Sequence, residues 1–111
     1  MHQSREQDEG GAARYHSETL AQTDSLRVYI HSFEGQQRVP WHWHSGVSDL
    51  FICIEGCGQI SLRAPEETIV LQVGERYEVA PMRPHSMWSA DGKTCRMILI
   101  QGVGEIDFKT D

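Results

Sequence analysis

His42 and His44 flank Trp43, Asp49 follows after a short spacer, and His85 stands behind Pro84 further along the chain. Two histidines at i and i+2 on an extended strand point to one face. A carboxylate and a third imidazole arriving on neighbouring strands would complete a mixed nitrogen and oxygen site for a divalent metal. Neutral imidazole suits Zn, Fe, Ni or Cu, and a carboxylate also tolerates Mn. One carboxylate lowers the charge of a dication without cancelling it, so the ion stays a Lewis acid with positions open to water, substrate or dioxygen. The pattern predicts one divalent ion per chain, held by His42, His44, Asp49 and His85, with Asp49 either ligating directly or holding a metal-bound water.

Short strands must position these groups. Leu26, Val28 and Ile30 alternate with Arg27, Tyr29 and His31, which is strand period. Gly35-Gln36-Gln37 turns the chain towards the histidine strand. Leu50 to Ile54 is almost continuously apolar, as in a strand covered on both faces, once by the interior and once by a second sheet or subunit. Strands are also predicted over 59–63, 68–73 and 77–80, with Gly56-Cys57-Gly58 a tight connection. Asp91-Gly92 reads as a hairpin turn between 86–90 and 95–101. With no helical period of any length, the chain is all-β, a barrel or sandwich. Residues 1–22, with Gly10-Gly11 and the acidic Glu6 to Glu9, read as a polar tail or edge strand, and 23–111 as the barrel domain.

Strand parity also names the pocket walls. Phe51 and Cys53 share a face with Asp49, and Met87 and Ser89 share one with His85. With Met82 they are the candidate substrate-binding residues, an apolar lining with the metal as polar anchor. Trp41 and Trp43 fall on the opposite face, for packing or a subunit interface. His2, His16 and His31 read as surface histidines. Cys53 reads as a small buried hydrophobe and Cys57 as an exposed turn residue. Arg83 and Arg96 are either solvated charges or a fork for a substrate carboxylate. Glu55 and Tyr77 are the candidates for a general base.

The histidine pattern resembles the two motifs of the cupin superfamily. The first, a glycine, a spacer, His-x-His, an acid and a further glycine, is met by Gly35, His42, His44, Asp49 and Gly56. The second, a glycine, a proline-rich turn, a histidine and an asparagine, is met by Gly74, Ala80-Pro81-Met82-Arg83-Pro84 and His85. The chain departs from the family pattern at Asp49, where glutamate is usual, at Met82, in place of a turn glycine, and at Ser89, in place of asparagine. The resemblance implies a single-domain cupin (jelly-roll) β-barrel with the metal inside. Its activities range over dioxygenases, decarboxylases, isomerases, lyases and non-catalytic small-molecule binders. The leading expectation is a metal-dependent enzyme on a small carboxylate, enol or sugar acid, the alternative a metal-bearing binding or sensor module.

Length and charge agree. At 111 residues the chain is one small domain, burying roughly 60–70% of its unfolded surface. A net charge of −6 and a pI near 5.4 argue against nucleic acid as partner. No apolar run approaches a membrane span, and the first residues lack the apolar segment of a secretory signal. Cys53, Cys57 and Cys95 cannot close a disulfide framework, so reduced thiols and a cytoplasmic location are expected. Because so small a barrel cannot cover both faces of its apolar strands, a homodimer packed through the outer face of the histidine strand is expected.

Overall fold

A computed structural model of the chain describes residues 15–102. Nine strands run through them: β1 (His16–Gln22), β2 (Leu26–Phe33), β3 (Arg38–His42), β4 (Asp49–Glu55), β5 (Gly58–Leu62), β6 (Glu67–Leu71), β7 (Arg76–Val79), β8 (His85–Ser89) and β9 (Cys95–Gly102). They form a five-stranded sheet, β1-β2-β9-β4-β7, facing a four-stranded sheet, β3-β8-β5-β6, with every pairing antiparallel. This is the all-β jelly roll. Residues 1–14, with His2, the acidic run and the Gly10-Gly11 pair, lie outside the described residues, as do 103–111.

The two-residue period of the pleat builds the core. In β4 the inward Phe51 and Cys53 are buried, and in β9 so are Cys95, Met97 and Leu99. Facing them are Ile60, Leu62 and Met87 of the other sheet. The outward Leu50, Ile52 and Ile54 are only half-buried, so within one chain β4 is covered fully on its inner face alone. The outer face of the histidine sheet is mixed, with Arg38 in a row with Trp88, Gln59 and the exposed Val70, and Ser61 beside Thr68. The broad aliphatic face lies instead on the outside of the five-stranded sheet.

The turn at Asp91-Gly92 does not close a hairpin. β8 pairs with β3 and β5, whereas β9 pairs with β2 and β4, so this turn is a corner between sheets. Asp91 makes the corner: its Oδ1 accepts from Lys93 N–H at 3.0 Å and from Ser89 Oγ at 3.2 Å, an Asx-type turn that sequence alone cannot tell from a hairpin turn. Gly56-Cys57-Gly58 crosses between sheets in the same way. Gly56 has φ +76°, and a Cβ there would lie 2.2 Å from the Thr94 carbonyl oxygen, so the crossing accepts no side chain.

Candidate metal centre

Each histidine of the motif is held by backbone before any ion is considered. β3 and β8 pair so that His42 and His85 are direct cross-strand neighbours, with ring centroids 4.2 Å apart. Pro40, which has no N–H to give to the sheet, turns its carbonyl to His42 Nδ1 at 2.7 Å. His85 Nδ1 sits 2.8 Å from the Arg83 carbonyl. Both rings therefore donate through Nδ1 and present Nε2 to the interior, the arrangement in which imidazoles ligate metals. His44 lies just beyond β3, its carbonyl accepting the Met82 N–H so that the two motif loops are joined at the mouth. Its side chain is 34% exposed against 1–2% for Asp49 and His85, so the site opens past His44.

Asp49 enters from the opposite sheet, at the start of β4. Its Oδ2 lies 3.2 Å from His85 Nε2 and 3.3 Å from His44 Nε2, and its Oδ1 accepts from Gln101 Nε2 at 3.0 Å. Burial alone would raise the Asp49 carboxyl, but contacts with His44, His85 and Gln101 outweigh it and hold the group ionised well below the usual carboxylate range. His42 is pushed down to about 4, first by burial and then by the neighbouring His85, so its Nε2 lone pair is free at neutral pH.

The donor set fits a divalent ion. One atom from each of His42, His44, Asp49 and His85 lies within 4.8 Å of all the others. Two ligand atoms at about 2.0–2.2 Å from a shared ion and roughly 90–110° apart would stand about 3.0–3.5 Å from each other, and the 3.2 and 3.3 Å contacts of Asp49 Oδ2 fall in that range. The hydrogen-bond count agrees. Both nitrogens of His85 face oxygen acceptors, and a cation shared by His85 Nε2 and Asp49 would satisfy the second contact with one N–H on the ring. Asp49 reaches the cluster despite its short side chain because β4 begins at this residue, beside Gln101 in register on β9.

The other sequence candidates separate by depth. Phe51 lies under the cluster, its ring edge-on to His85 at 6.0 Å. Met87 fills the next layer, paired with Val39 and Ile60. Cys53 and Ser89 are four residues along their strands from Asp49 and His85, about 13 Å at strand rise. Both belong to the far end of the barrel. Cys53 Sγ contacts the Glu55 and Gly56 carbonyls there, and Ser89 Oγ donates to the Lys93 carbonyl at 2.6 Å, so neither lines the metal pocket. Met82 stands at the mouth of the site, its N–H on the His44 carbonyl, and not in the buried lining. It is 61% exposed on the turn between the sheets, with φ +72°, the left-handed conformation for which the family pattern has glycine.

Arg83 is a structural clamp. Its guanidinium bonds the Arg63 and Pro65 carbonyls, Tyr77 Oη and Glu67 at 2.8 to 3.2 Å. This occupies Tyr77 outside the site. Arg96 lies on the outer face between Ser32 and Glu55, the latter 53% exposed. Neither arginine faces the metal cluster, and neither Glu55 nor Tyr77 can act there as a base. Trp41 stacks under the Arg63 guanidinium at 3.9 Å, and Trp43 is 61% exposed.

Two residues were not anticipated. Gln101 braces Asp49; the sequence signal is a polar residue closing the inward row Cys95, Met97, Leu99. His31, read as a surface residue, is 7% exposed inside the barrel, stacked on Tyr29 and edge-on to Tyr15. Burial, with His42 adding to it, pushes it down to about 4, and its Nδ1 has no hydrogen-bond partner. Its position was legible: His31 has the parity of the buried Phe33.

Comparison with known proteins agrees with this geometry. The cupin domain family model matches residues 29–101. The chain belongs to the cupin superfamily. It is similar to a cupin-2 domain protein from Shewanella frigidimarina, at 26% identity and TM-score 0.64, over 77% of this chain and 78% of that one. A conserved protein of unknown function from Streptococcus pyogenes shares the fold at 20% identity and TM-score 0.71, over 85% and 78%. KdgF from Halomonas sp. does so at 12% identity and TM-score 0.68, over 82% and 80%. A search of curated proteins gave no match.

Proposed function

We propose that the protein is a metal-dependent enzyme acting on a small oxygenated molecule, a carboxylate, enol or sugar acid, at the end of the barrel that opens past His44. The observation that carries this reading is the convergence of three imidazoles and one carboxylate from both sheets within 4.8 Å. A divalent ion held by His42, His44, Asp49 and His85 would supply Lewis acidity and, if redox-active, a route for electrons. The chain's own residues do the rest. Nδ1 bonds to Pro40 and Arg83 fix the rings, Gln101 fixes the carboxylate, and Phe51 and Met87 close the floor with apolar surface that excludes water.

A second reading, a metal-bearing binding or sensor module, is favoured by one observation: Glu55 and Tyr77 both stand outside the site. The two readings separate in one experiment. Protein reconstituted with Fe, Mn, Ni, Cu or Zn is incubated with a panel of carboxylates, enols and unsaturated sugar acids while oxygen uptake and product are followed together. Turnover that disappears in His44→Ala supports the enzyme. Uptake with product marks a dioxygenase, and product without uptake a lyase, isomerase or decarboxylase. Specific binding with every compound recovered unchanged across all the metals replaces the enzyme by the binder.

A further inference from the structure

The alternation on β2 runs against side-chain polarity. Its aliphatic set, Leu26, Val28 and Ile30, lies on the outer face, whereas Arg27, Tyr29 and His31 share the inner face with the buried Phe33. His42 and Asp49 both act electrostatically on His31, so this face of β2 looks onto the metal cluster. Register places Arg27 at its open end. Arg27 pairs with Gln101 on β9, and Gln101 pairs with Asp49 on β4, in a single row across the sheet. The Gln101 amide lies 3.0 Å from Asp49 and 3.4 Å from His44. Arg27 therefore stands one strand, about 4.8 Å, from a residue that contacts two of the four donors. It is half-buried, and no ion-pair partner holds it among the described residues. The other described arginines face elsewhere: Arg83 in its clamp, Arg96 beside Glu55, Arg38 and Arg63 over Trp88 and Trp41, and Arg76 exposed in register with the outward Ile52.

We propose that Arg27 sets the specificity of this site, pairing through both prongs of its guanidinium with a carboxylate on a molecule whose other end chelates the ion. The inference rests on the metal-dependent reading of the site and narrows its ligand to one with a second acid group. A guanidinium matches a carboxylate with two parallel N–H donors and keeps its charge at any working pH. A divalent ion beside the single Asp49 carboxylate leaves one positive charge, and Arg27 adds a second, which a doubly charged anion balances. The Arg27 and Asp49 backbones are two strands, roughly 10 Å, apart. A long side chain from one side and a short diacid on the ion from the other fill that span together.

The test is calorimetric titration of the metal-loaded full chain at about 0.15 M salt, where long-range charge is screened. The probes are 2-oxo diacids of four, five and six carbons and the 2-oxo monoacids of the same lengths. Both members of a pair chelate through the same group, so only the far carboxylate differs. At one length or more the diacid is expected to bind about tenfold or more tighter than its monoacid. Arg27→Gln should abolish that preference with monoacid affinity, metal content and circular dichroism spectrum unchanged, and Arg27→Lys, which keeps the charge without the fork, should restore part of it. A residue that only supported the fold would weaken both acids together, and that result overturns the proposal. So does a diacid preference that survives Arg27→Gln. Monoacids and diacids that bind equally at every length also overturn it but leave the metal-centred reading standing. If no acid binds the loaded protein, both fall.

Discussion

Replacing His31 by phenylalanine should make the metal-free protein more resistant to acid. In the folded chain His31 stays neutral down to about 4, because burial and then His42 oppose its charge, whereas the ordinary value is 6.5. Below 6.5 the unfolded chain takes up a proton that the folded chain refuses. Stability is therefore lost as pH falls from 6.5 towards 4 and levels off beneath it. At about 1.36 kcal/mol per unit the full loss is roughly 3 kcal/mol, a large part of the ~5–15 kcal/mol available to a domain. Phenylalanine keeps the ring contacts with Tyr29 and Tyr15 and removes the base. It sacrifices no Nδ1 hydrogen bond, since that nitrogen has none, so stability at neutral pH should hold or rise. Urea midpoints of both proteins, measured with chelator at about pH 7.5 and about pH 4.5, should show the native chain losing roughly 2–3 kcal/mol more than the variant. If the two lose stability in parallel, His31 is not a buried neutral base and the reasoning fails.

Purified without chelator, the protein should carry one divalent ion per chain by elemental analysis, and His85→Ala should lower that content sharply. Unchanged content in a His42→Ala, His85→Ala double variant would move the site elsewhere. Asp49→Asn keeps the Gln101 contact but removes the charge, and should weaken metal affinity by more than about 100-fold by competition with a chelating dye; a loss of about 10–100-fold or less would place Asp49 behind a water. Gly56→Ala forces a Cβ against the Thr94 carbonyl at positive φ, and should cost about 2–5 kcal/mol in denaturant unfolding.

The fold and the four clustered donors are legible because both are local codes. Alternation in Leu50–Ile54 and Cys95–Gln101 reports which side chains face inward, and His-x-His reports a shared face. What was not legible depends on which strands pair. Asp91-Gly92 has the composition of a hairpin turn, but only the partners of β8 and β9 show it to be a corner. Parity put Cys53 and Ser89 on the correct faces, yet the metal end is fixed by where β4 and β8 begin, which parity does not contain. His31 was misread from residue type alone, although its spacing from Phe33 places it inside. Arg83 was ambiguous until its carbonyl partners, from Arg63 and Pro65 far along the chain, were in place.

His42 and His85 belong to one sheet, and Asp49 and Gln101 to the other. A cation shared among them would therefore be a rivet across the open end of the sandwich as well as a reactive centre. Ligand binding of this kind adds about 4 kcal/mol to folding when the free ion stands ~1,000-fold above its dissociation constant. Withdrawn, it would leave the two sheets joined at this end by the contacts of Asp49 with His44 and His85. Removing such an ion would then lower the stability of the fold as well as its reactivity, and would expose this end of the barrel to proteolysis first.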